Sequence, residues 1–560
     1  MMKSSRINFK RVLRQCKADE LKHNADRIAN KLLQQNDVDF WREIGKISKS
    51  DSKVPLAATV NGVTGENQVA EMWKEHFSAL LNSTSSTPIT LSNDTLLEPF
   101  DSFQVEETQE AILALKSGKS QGPDKLCAEH LKHAGDNLSA ILTLFFNCAI
   151  VHGHLPAKFM QTNIIPIVKD KKGVLSSVDN YRPIAMTCIM SKVFELMILN
   201  RYKDLFSTTD NQFGFKSKHG TELCIFVLKE LIDFYVTNNS PFYMCFLDLS
   251  KAFDRIHHRM LFEKLVSRNV PVLVIRILQF WYASQVFYVR WGHSRSDPFT
   301  VSNGVRQGSV LSPYLFNVCM DDLSVLLRKS AYGCYFKDEC YNHLIYADDL
   351  TLLTTSPTAM QEIINISSKF FADHHLVISE SKSKCMAITP LNLDLDLPSL
   401  YINRKQLPVV EKESYLGYLL TSSDKDDNAI QKEKKSLYAR GNMLIRKFKH
   451  CSDAVKAKLI TAYCSSLYCC AIWSCYDNIG NLHVAHNNIF RLFFGIRGPC
   501  SISEHFRNRN IPNFTLIRRR QCVSLFNRVM NSKNVLVHHL TNSAHFVKSK
   551  IYLEWKKLIF

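Results

Sequence analysis

Apolar and polar positions alternate in three regimes along the chain. Between residues 8 and 48, Phe9, Val12, Leu13, Leu21, Ile28, Leu32 and Leu33 recur near helical spacing with charges between them, which predicts helix. Residues 83–95, STSSTPITLSNDT, are rich in Ser, Thr, Asn and Pro and read as a linker. VEETQEAILALKSGKSQGPDKLCAEHLKHAG (105–135) predicts a short helix, a Gly/Pro-rich loop and a second helix. FMQTNIIPIVKD (159–170) is a strand candidate that ends on Lys169. From there to about residue 390 strands and helices alternate, as in α+β or α/β chains. After SYLGYLLTSSDKDD (414–427) the pattern is mostly helical.

Composition narrows the classes. A chain of 560 residues allows roughly two to four domains, and 46% apolar content is that of a folded protein. No apolar run is long enough to span a bilayer, and Met1 leads into Lys3, Arg6, Lys10 and Arg11 without the apolar core of a signal peptide. The 17 cysteines include no Cys-x-x-Cys pair, which argues against a zinc knuckle and suits the reduced thiols of an intracellular, cytoplasmic or nuclear, protein. Charge is segregated. The net charge is +18, with 23 Lys/Arg against 7 Asp/Glu from residue 425 to 560 and 12 against 6 in residues 1–50. Basic ends on a nearly neutral body suggest a polyanion, nucleic acid, held at the periphery.

The candidate chemistry lies in the alternating region. HLIYADDLTLLTT (343–355) sets two aspartates, Asp348 and Asp349, inside an apolar stretch. One reading is a hairpin with an Asp-rich turn. The other is a turn that presents carboxylates to divalent cations, which want one or two such ligands plus substrate phosphates. Upstream, FYMCFLDLSKAFDRIHH (242–258) begins as a strand and shifts to helical periodicity through Ala252, Phe253, Ile256, Leu261 and Leu265. Asp248 sits at that change; alone it reads as a helix cap, and beside the hairpin it completes a carboxylate site. NGVRQGSVLSPYLFNVCMDDL (303–323) predicts a Gly-rich loop and then a helix opened near Ser312-Pro313. Gly304 and Gly308 permit close backbone approach, while Arg306 and Gln307 can bond phosphate, sugar or base or merely pack.

Taken in order, these segments resemble the reverse transcriptase domain of non-LTR (LINE-type) retrotransposons, of the jockey/CR1/L2-like group. The resemblance is carried by NYRPIAMTCIMSKVFELMILNR (180–201), NQFGFKSKHGT (211–221), FLDLSKAFD (246–254), NGVRQGSVLSP (303–313), YADD (346–349), LVISESKSKCMAIT (376–389) and YLG (415–417). It implies a right-hand polymerase fold, α+β, with fingers, palm and thumb. Its expected limits are a helical connector and linker over 1–100, an N-terminal extension over 101–158, fingers and palm over 159–420, and a thumb-like basic helical region over 421–560. It implies an RNA-directed DNA polymerase using dNTPs, an RNA template and a DNA primer. Asp248, Asp348 and Asp349 would hold two Mg²⁺, or Mn²⁺ in their place, with Asp349 the more peripheral ligand.

The other roles are implied in the same way. Phe253 matches the bulky position that blocks a ribose 2′-hydroxyl, Gln307 a contact to nucleotide and template, and Arg182 and Lys169 finger residues near the triphosphate. Lys382 matches a proton donor or phosphate contact. Arg306, Gly308 and the hairpin Tyr415-Leu416-Gly417 match template and primer contacts. The family's usual asparagine is replaced by Ser379. Members commonly carry an endonuclease before the polymerase, and the first 100 residues read instead as helix and linker, so polymerase without nicking activity is expected. The competing expectation is an idle nucleic-acid-binding remnant or domesticated copy of such an element; an RNA-making polymerase on the same palm is disfavoured by Phe253.

Overall fold

FYMCFL forms a strand, Phe242–Leu247, with apolar neighbours on both faces. Its alternate side chains serve two cores: Tyr243, Cys245 and Leu247 pack into one, Phe242 and Met244 into the other. This is why the run is continuously apolar rather than alternating. A computed structural model describes residues 2–48, 57, 59–83, 100–390, 399–473, 477–496 and 501–559. In it the strand lies inside a four-stranded antiparallel sheet of His343–Tyr346, Asp349–Thr354, Phe242–Leu247 and Lys384–Ile388, in that order. Register is set by Leu352 opposite Cys245 and by Met386 opposite Met244. Helices Ser312–Lys329 and Pro357–Asp373 join the core on one face; helix Thr221–Thr237, buried from Leu223 to Asp233, lies on the other.

A second sheet holds Tyr181–Thr187, Gln161–Val168, Val286–Trp291 and Ser294–Arg295. Helix Glu66–Leu81 covers one face of it. Trp73 stacks on Phe77 at 5.1 Å and meets Tyr181 edge-on at 5.0 Å. Residues 59–81, expected as part of the helical connector, form a separate two-stranded hairpin, Thr59–Val60 with Val63–Thr64, and a helix packed on this sheet. The apolar face of the sheet must be covered, and this helix covers it. The expected linker, from residue 84 onward, lies outside the described residues.

The single helix expected over 8–48 is two, Met2–Leu33 and Asp37–Ser48. Gln35 adopts a left-handed φ of 52°, and the Asn36 side chain accepts from the Asp39 amide at 3.0 Å, which starts the second helix. Phe9, Val12, Leu13 and Leu21 are exposed, so their periodicity is not that of a core face.

From Asp427 onward the described residues are helical, as expected. These helices fuse to the first sheet through helix Thr221–Thr237. Trp555 stacks on Phe226 at 5.7 Å, Arg528 pairs with Glu222, and Lys229 pairs with Asp424 and, at 3.2 Å, Asp426. In the basic cluster 518–520, Arg518 turns inward to Glu554 at 2.8 Å, while Arg519 and Arg520 stay exposed. Among the described residues no helix is long and apolar enough to cross a membrane.

Glu230 is wholly buried in this junction and accepts from Ser549 Oγ at 3.0 Å. Burial, helped by the Asp233 charge, pushes its carboxyl up to about 8. An unfolded glutamate titrates near ~4.3. The folded state thus holds a proton that the unfolded state releases, and stability falls as pH rises between those values. Glu230→Gln is expected to melt above wild type at about pH 8.5 and close to it at about pH 5, measured by thermal denaturation.

Candidate active site

The hairpin ends where Tyr346 pairs with Asp349, leaving Ala347 and Asp348 as a two-residue turn. Ala347 holds a left-handed φ of 59°, an unfavourable conformation for a residue with a Cβ, so something must fix it. The segment 211–214 does so. Phe213 N donates to Ile345 O and Ile345 N to Asn211 O, both at 2.8 Å. Buried Gln212 accepts through Oε1 from Ala347 N at 3.0 Å and from Gly214 N at 2.7 Å. A Cβ on Gly214 would lie 2.4 Å from Ala347 N, so only glycine allows this approach. Gln212 was not foreseen as a site residue; its only sequence signal was its place in the motif NQFGFKSKHGT.

Asp248 follows the last residue of the central strand, whose end pairs Leu247 with Leu350. Its backbone is pinned by Ser379 N, donating to its carbonyl at 2.8 Å, and by Ser383 Oγ, accepting from its amide at 3.2 Å. Ser379 thus fixes the turn through its backbone, without the family's asparagine. Among the described residues Asp248 Oδ2 is buried with no hydrogen-bond donor, and Lys382 Nζ stands 3.6 Å from it. Asp348 is half-buried; burial, and then the charge of Asp248, raises its carboxyl above the ordinary range, with Arg182 opposing. Asp349 is pushed up to about 6 by desolvation and then by Asp348 and Asp248.

Asp248 and Asp348 line one cavity of about 520 Å³. Lys169, Arg182 and Lys382 line it too, together with Phe253, Gln307 and Gly308. Lys251, next to the helix start at Ala252, adds a further cation. Lys169 is held below the ordinary lysine range by burial and then by Lys251, Lys382 and Arg182. Cations crowd one another beside carboxylates that crowd one another, and a ligand with phosphates and divalent ions would relieve both. Phe253 lies flat on Phe316, centroids 4.2 Å apart and planes at 7°, with one edge on the cavity. Gly308, at φ 119°, lies where a Cβ would stand 2.8 Å from Ala185 O.

Other expected residues are placed differently. Arg306 borders the cavity, but its guanidinium is buried and bonded to fully buried Glu195 at 2.7 Å, 4.1 Å from the Trp281 ring centre. This corrects the expectation of a template contact: Glu195 also binds Ser309 Oγ and Val310 N, so Arg306 is needed to neutralise it and hold the loop. Asp349 is exposed and does not line the cavity. Tyr415 is buried with its hydroxyl 3.1 Å from Cys224 Sγ. Leu416 and Gly417 form the tight turn at φ 45° and 86°, and their carbonyls accept from Tyr468 Oη at 2.6 Å and Lys432 Nζ at 2.7 Å. That hairpin stands outside the cavity, tied to the C-terminal helices.

One wall was missed. His76, Phe77 and Leu80, from helix Glu66–Leu81, line the same cavity. His76 is half-buried and its pKa is lowered by burial and then by Lys251. No local motif marks it, because its position depends on long-range packing. Among the described residues no group of three or more Asp, Glu, His or Cys side chains converges tightly enough to hold a metal ion. The orphaned Asp248 Oδ2 and the neighbouring Asp348 instead fit a cation that takes its remaining ligands from a substrate.

Replacing Arg306 by Met is expected to destabilise the fold by about 3–5 kcal/mol, because Glu195 is left charged and buried. Adding Glu195→Leu is expected to recover a large part of that loss in denaturant titrations.

Residues 168–420 match the family model described as reverse transcriptase (RNA-dependent DNA polymerase). The chain is 31% identical over 340 residues to the RNA-directed DNA polymerase from mobile element jockey of Drosophila funebris, covering 58% of this chain and 36% of the relative. It is 27% identical over 332 residues to the jockey polymerase of Drosophila melanogaster, covering 58% and 35%. It is 23% identical over 309 residues to the Pol polyprotein of a type-1 retrotransposable element R2 from Nasonia vitripennis, covering 54% and 30%. The chain thus spans about a third of the length of the curated relatives it matches. A solved telomerase from Candida albicans aligns with a TM-score of 0.36 at 11% identity, covering 68% of this chain and 69% of that one.

Proposed function

We propose that the protein is a reverse transcriptase of the non-LTR retrotransposon type, as the family match over residues 168–420 and the jockey relatives support, and that it extends a DNA 3′ end with dNTPs on an RNA template. The observation that carries the reading is the pairing of an orphaned aspartate, Asp248, with Asp348 in a cavity whose other side is cationic. Asp248 and Asp348 would hold two Mg²⁺, or Mn²⁺, with Asp349 at the periphery. Divalent ions there supply charge neutralisation and acidify the attacking hydroxyl.

The chain's own groups do the rest. Lys169, Arg182 and Lys382 take the triphosphate, and Lys382, beside Asp248, is placed to give a proton to the departing pyrophosphate. Phe253, immobilised on Phe316, stands under the sugar and leaves no room for a 2′-hydroxyl. Gln307 and Gly308 bring side chain and backbone against nucleotide and template. The turn Leu416-Gly417 holds the primer strand, and the basic helices beyond residue 427 track its phosphates. His76 and Phe77 close the nucleotide side. Such work is done in the nucleus or cytoplasm, where both nucleic acids are met.

Primer extension with Mg²⁺ and dNTPs on an RNA template tests the reading. Wild type should extend, and Asp348→Ala/Asp349→Ala should fall to background while still shifting primer–template in a gel. Binding without extension by the wild type would leave an idle nucleic-acid-binding remnant as the better reading. Phe253→Ala is expected to raise incorporation of ribonucleotides relative to dNTPs by roughly 10- to 200-fold, the range set by one steric contact in a pocket.

A further inference from the structure

Gln307 is fixed at both ends. Its carbonyl accepts from Ala185 N at 2.7 Å, on the sheet side. Its side-chain Nε2 donates to Asp254 Oδ1 at 2.7 Å, on the opposite side. Asp254 belongs to the short helix Ala252–Arg255, is 3% exposed, and lines the cavity with Gln307. The loop and the helix are locked in register. Val305 N donates to Phe253 O at 2.8 Å and Gly304 N to Ile256 O at 2.7 Å. Gly304, at φ 85°, lies where any Cβ would stand 2.9 Å from the Asp254 carbonyl oxygen. Neither Asp254 nor Gln307 can drift from the other.

We propose that Asp254 is a positioning residue that fixes the Gln307 amide so that its carbonyl oxygen, an acceptor, faces the incoming nucleotide. The chemistry decides the amide's orientation. An ionised carboxylate only accepts, so the amide nitrogen is the end that must turn to it. Oε1 is left for the cavity, and the ligand atom it meets must be a donor. A nucleotide offers donors on its sugar hydroxyl and base N–H groups. Phe253, next in the chain, brackets the sugar in the reading above, on which this inference rests.

The arrangement has a second consequence. The charged groups facing Asp254 are Lys251 from its own helix start, Lys169 from the sheet side and Arg255. Burial outweighs them and the Gln307 hydrogen bond and pushes the carboxyl up to about 6. Above that pH Asp254 is an acceptor. Below it, the protonated oxygen becomes a donor that competes for Gln307 Oε1 and turns the amide nitrogen toward the nucleotide.

Single-nucleotide extension on a homopolymeric RNA template, from about pH 5.5 to 8, tests this with D254A and D254N. Asn at 254 keeps an acceptor oxygen and does not titrate. At about pH 7.5, D254A is expected to raise the KM for the dNTP about tenfold or more, with kcat within about threefold, the loss of one well-placed hydrogen bond. D254N is expected to restore KM at that pH and to show a smaller rise in KM below about pH 6 than wild type, the rise that remains belonging to Asp348 and Asp349. Thermal melting and primer–template binding accompany each variant. If D254A fails to fold, the D254N pH profile decides alone. An unchanged KM in folded D254A, a D254N profile that rises below pH 6 as steeply as that of wild type, or equal loss in both variants would overturn the proposal. If wild type makes no product, it is the polymerase reading that falls. The comparison is then read as the melting shift produced by dTTP, which D254A must lose and D254N must keep.

Discussion

Two like charges about 4 Å apart repel by ~1 kcal/mol in water and by about 4 where the surroundings are partly protein. Asp248, Asp348 and Asp349 can gather at one end of a sheet only if the backbone beneath them does not yield. The raised carboxyls of Asp348 and Asp349 come first from desolvation and then from that repulsion. The frame that resists it is layered. The central strand is packed on both faces, so neither edge of the sheet can tilt away. Gln212 and Gly214 clamp the left-handed Ala347, and Ser379 and Ser383 clamp the backbone of Asp248. The strain is local, while its restraint is spread over three separate chain segments.

The cations divide by the same logic. An arginine with a buried partner is part of the frame, and a lysine crowded by other cations is available to a ligand. Arg306 and Arg518 are of the first kind, each sealed against a buried glutamate. Lys169, bonded to the Asp179 carbonyl at 2.9 Å but to no carboxylate, and with its pKa depressed by burial and then by Lys251, Lys382 and Arg182, is of the second among the described residues. Net charge alone does not separate them. Of the arginines in the run 518–520, only Arg519 and Arg520 face solvent. The exposed basic surface is therefore smaller than a count of basic residues suggests.

Much of this was legible in the sequence because local rules agreed with the global ones. Continuous apolarity marked the strand Phe242–Leu247, Pro313 marked the start of the helix after the loop, and adjacent aspartates between apolar runs marked a hairpin turn. What was not legible depended on partners far away in the chain. Nothing near Arg306 announces Glu195, 111 residues earlier. The exposed Phe9 and Val12 show the converse: their periodicity was real, but no neighbouring element meets that face among the described residues. Asp254 escaped notice for a third reason. On a four-residue helix it looks like any polar position, and only the approach of Gln307 gives it work.

The boundary of the cavity differs from the boundary of the family match for a physical reason. The matched segment begins at residue 168, inside the strand Gln161–Val168, and its sheet presents Tyr181, Phe287, Val289 and Trp291 on one face. A face of that size must be covered, and in this chain helix Glu66–Leu81 covers it. The helix is tied at both ends: Glu66 and Glu71 accept from the amides of His293 and Asp297, and Leu81 O accepts from Ser302 and Asn303. Those ties leave it no freedom to retreat from the cavity. Once Trp73 and Phe77 are committed to the sheet, His76 and Leu80, three or four residues from them along the helix, are carried to the cavity's edge. A segment recruited for burial thereby supplies one wall of the cavity, and a cut at the edge of the matched segment would expose the apolar sheet face and open that side of the cavity together.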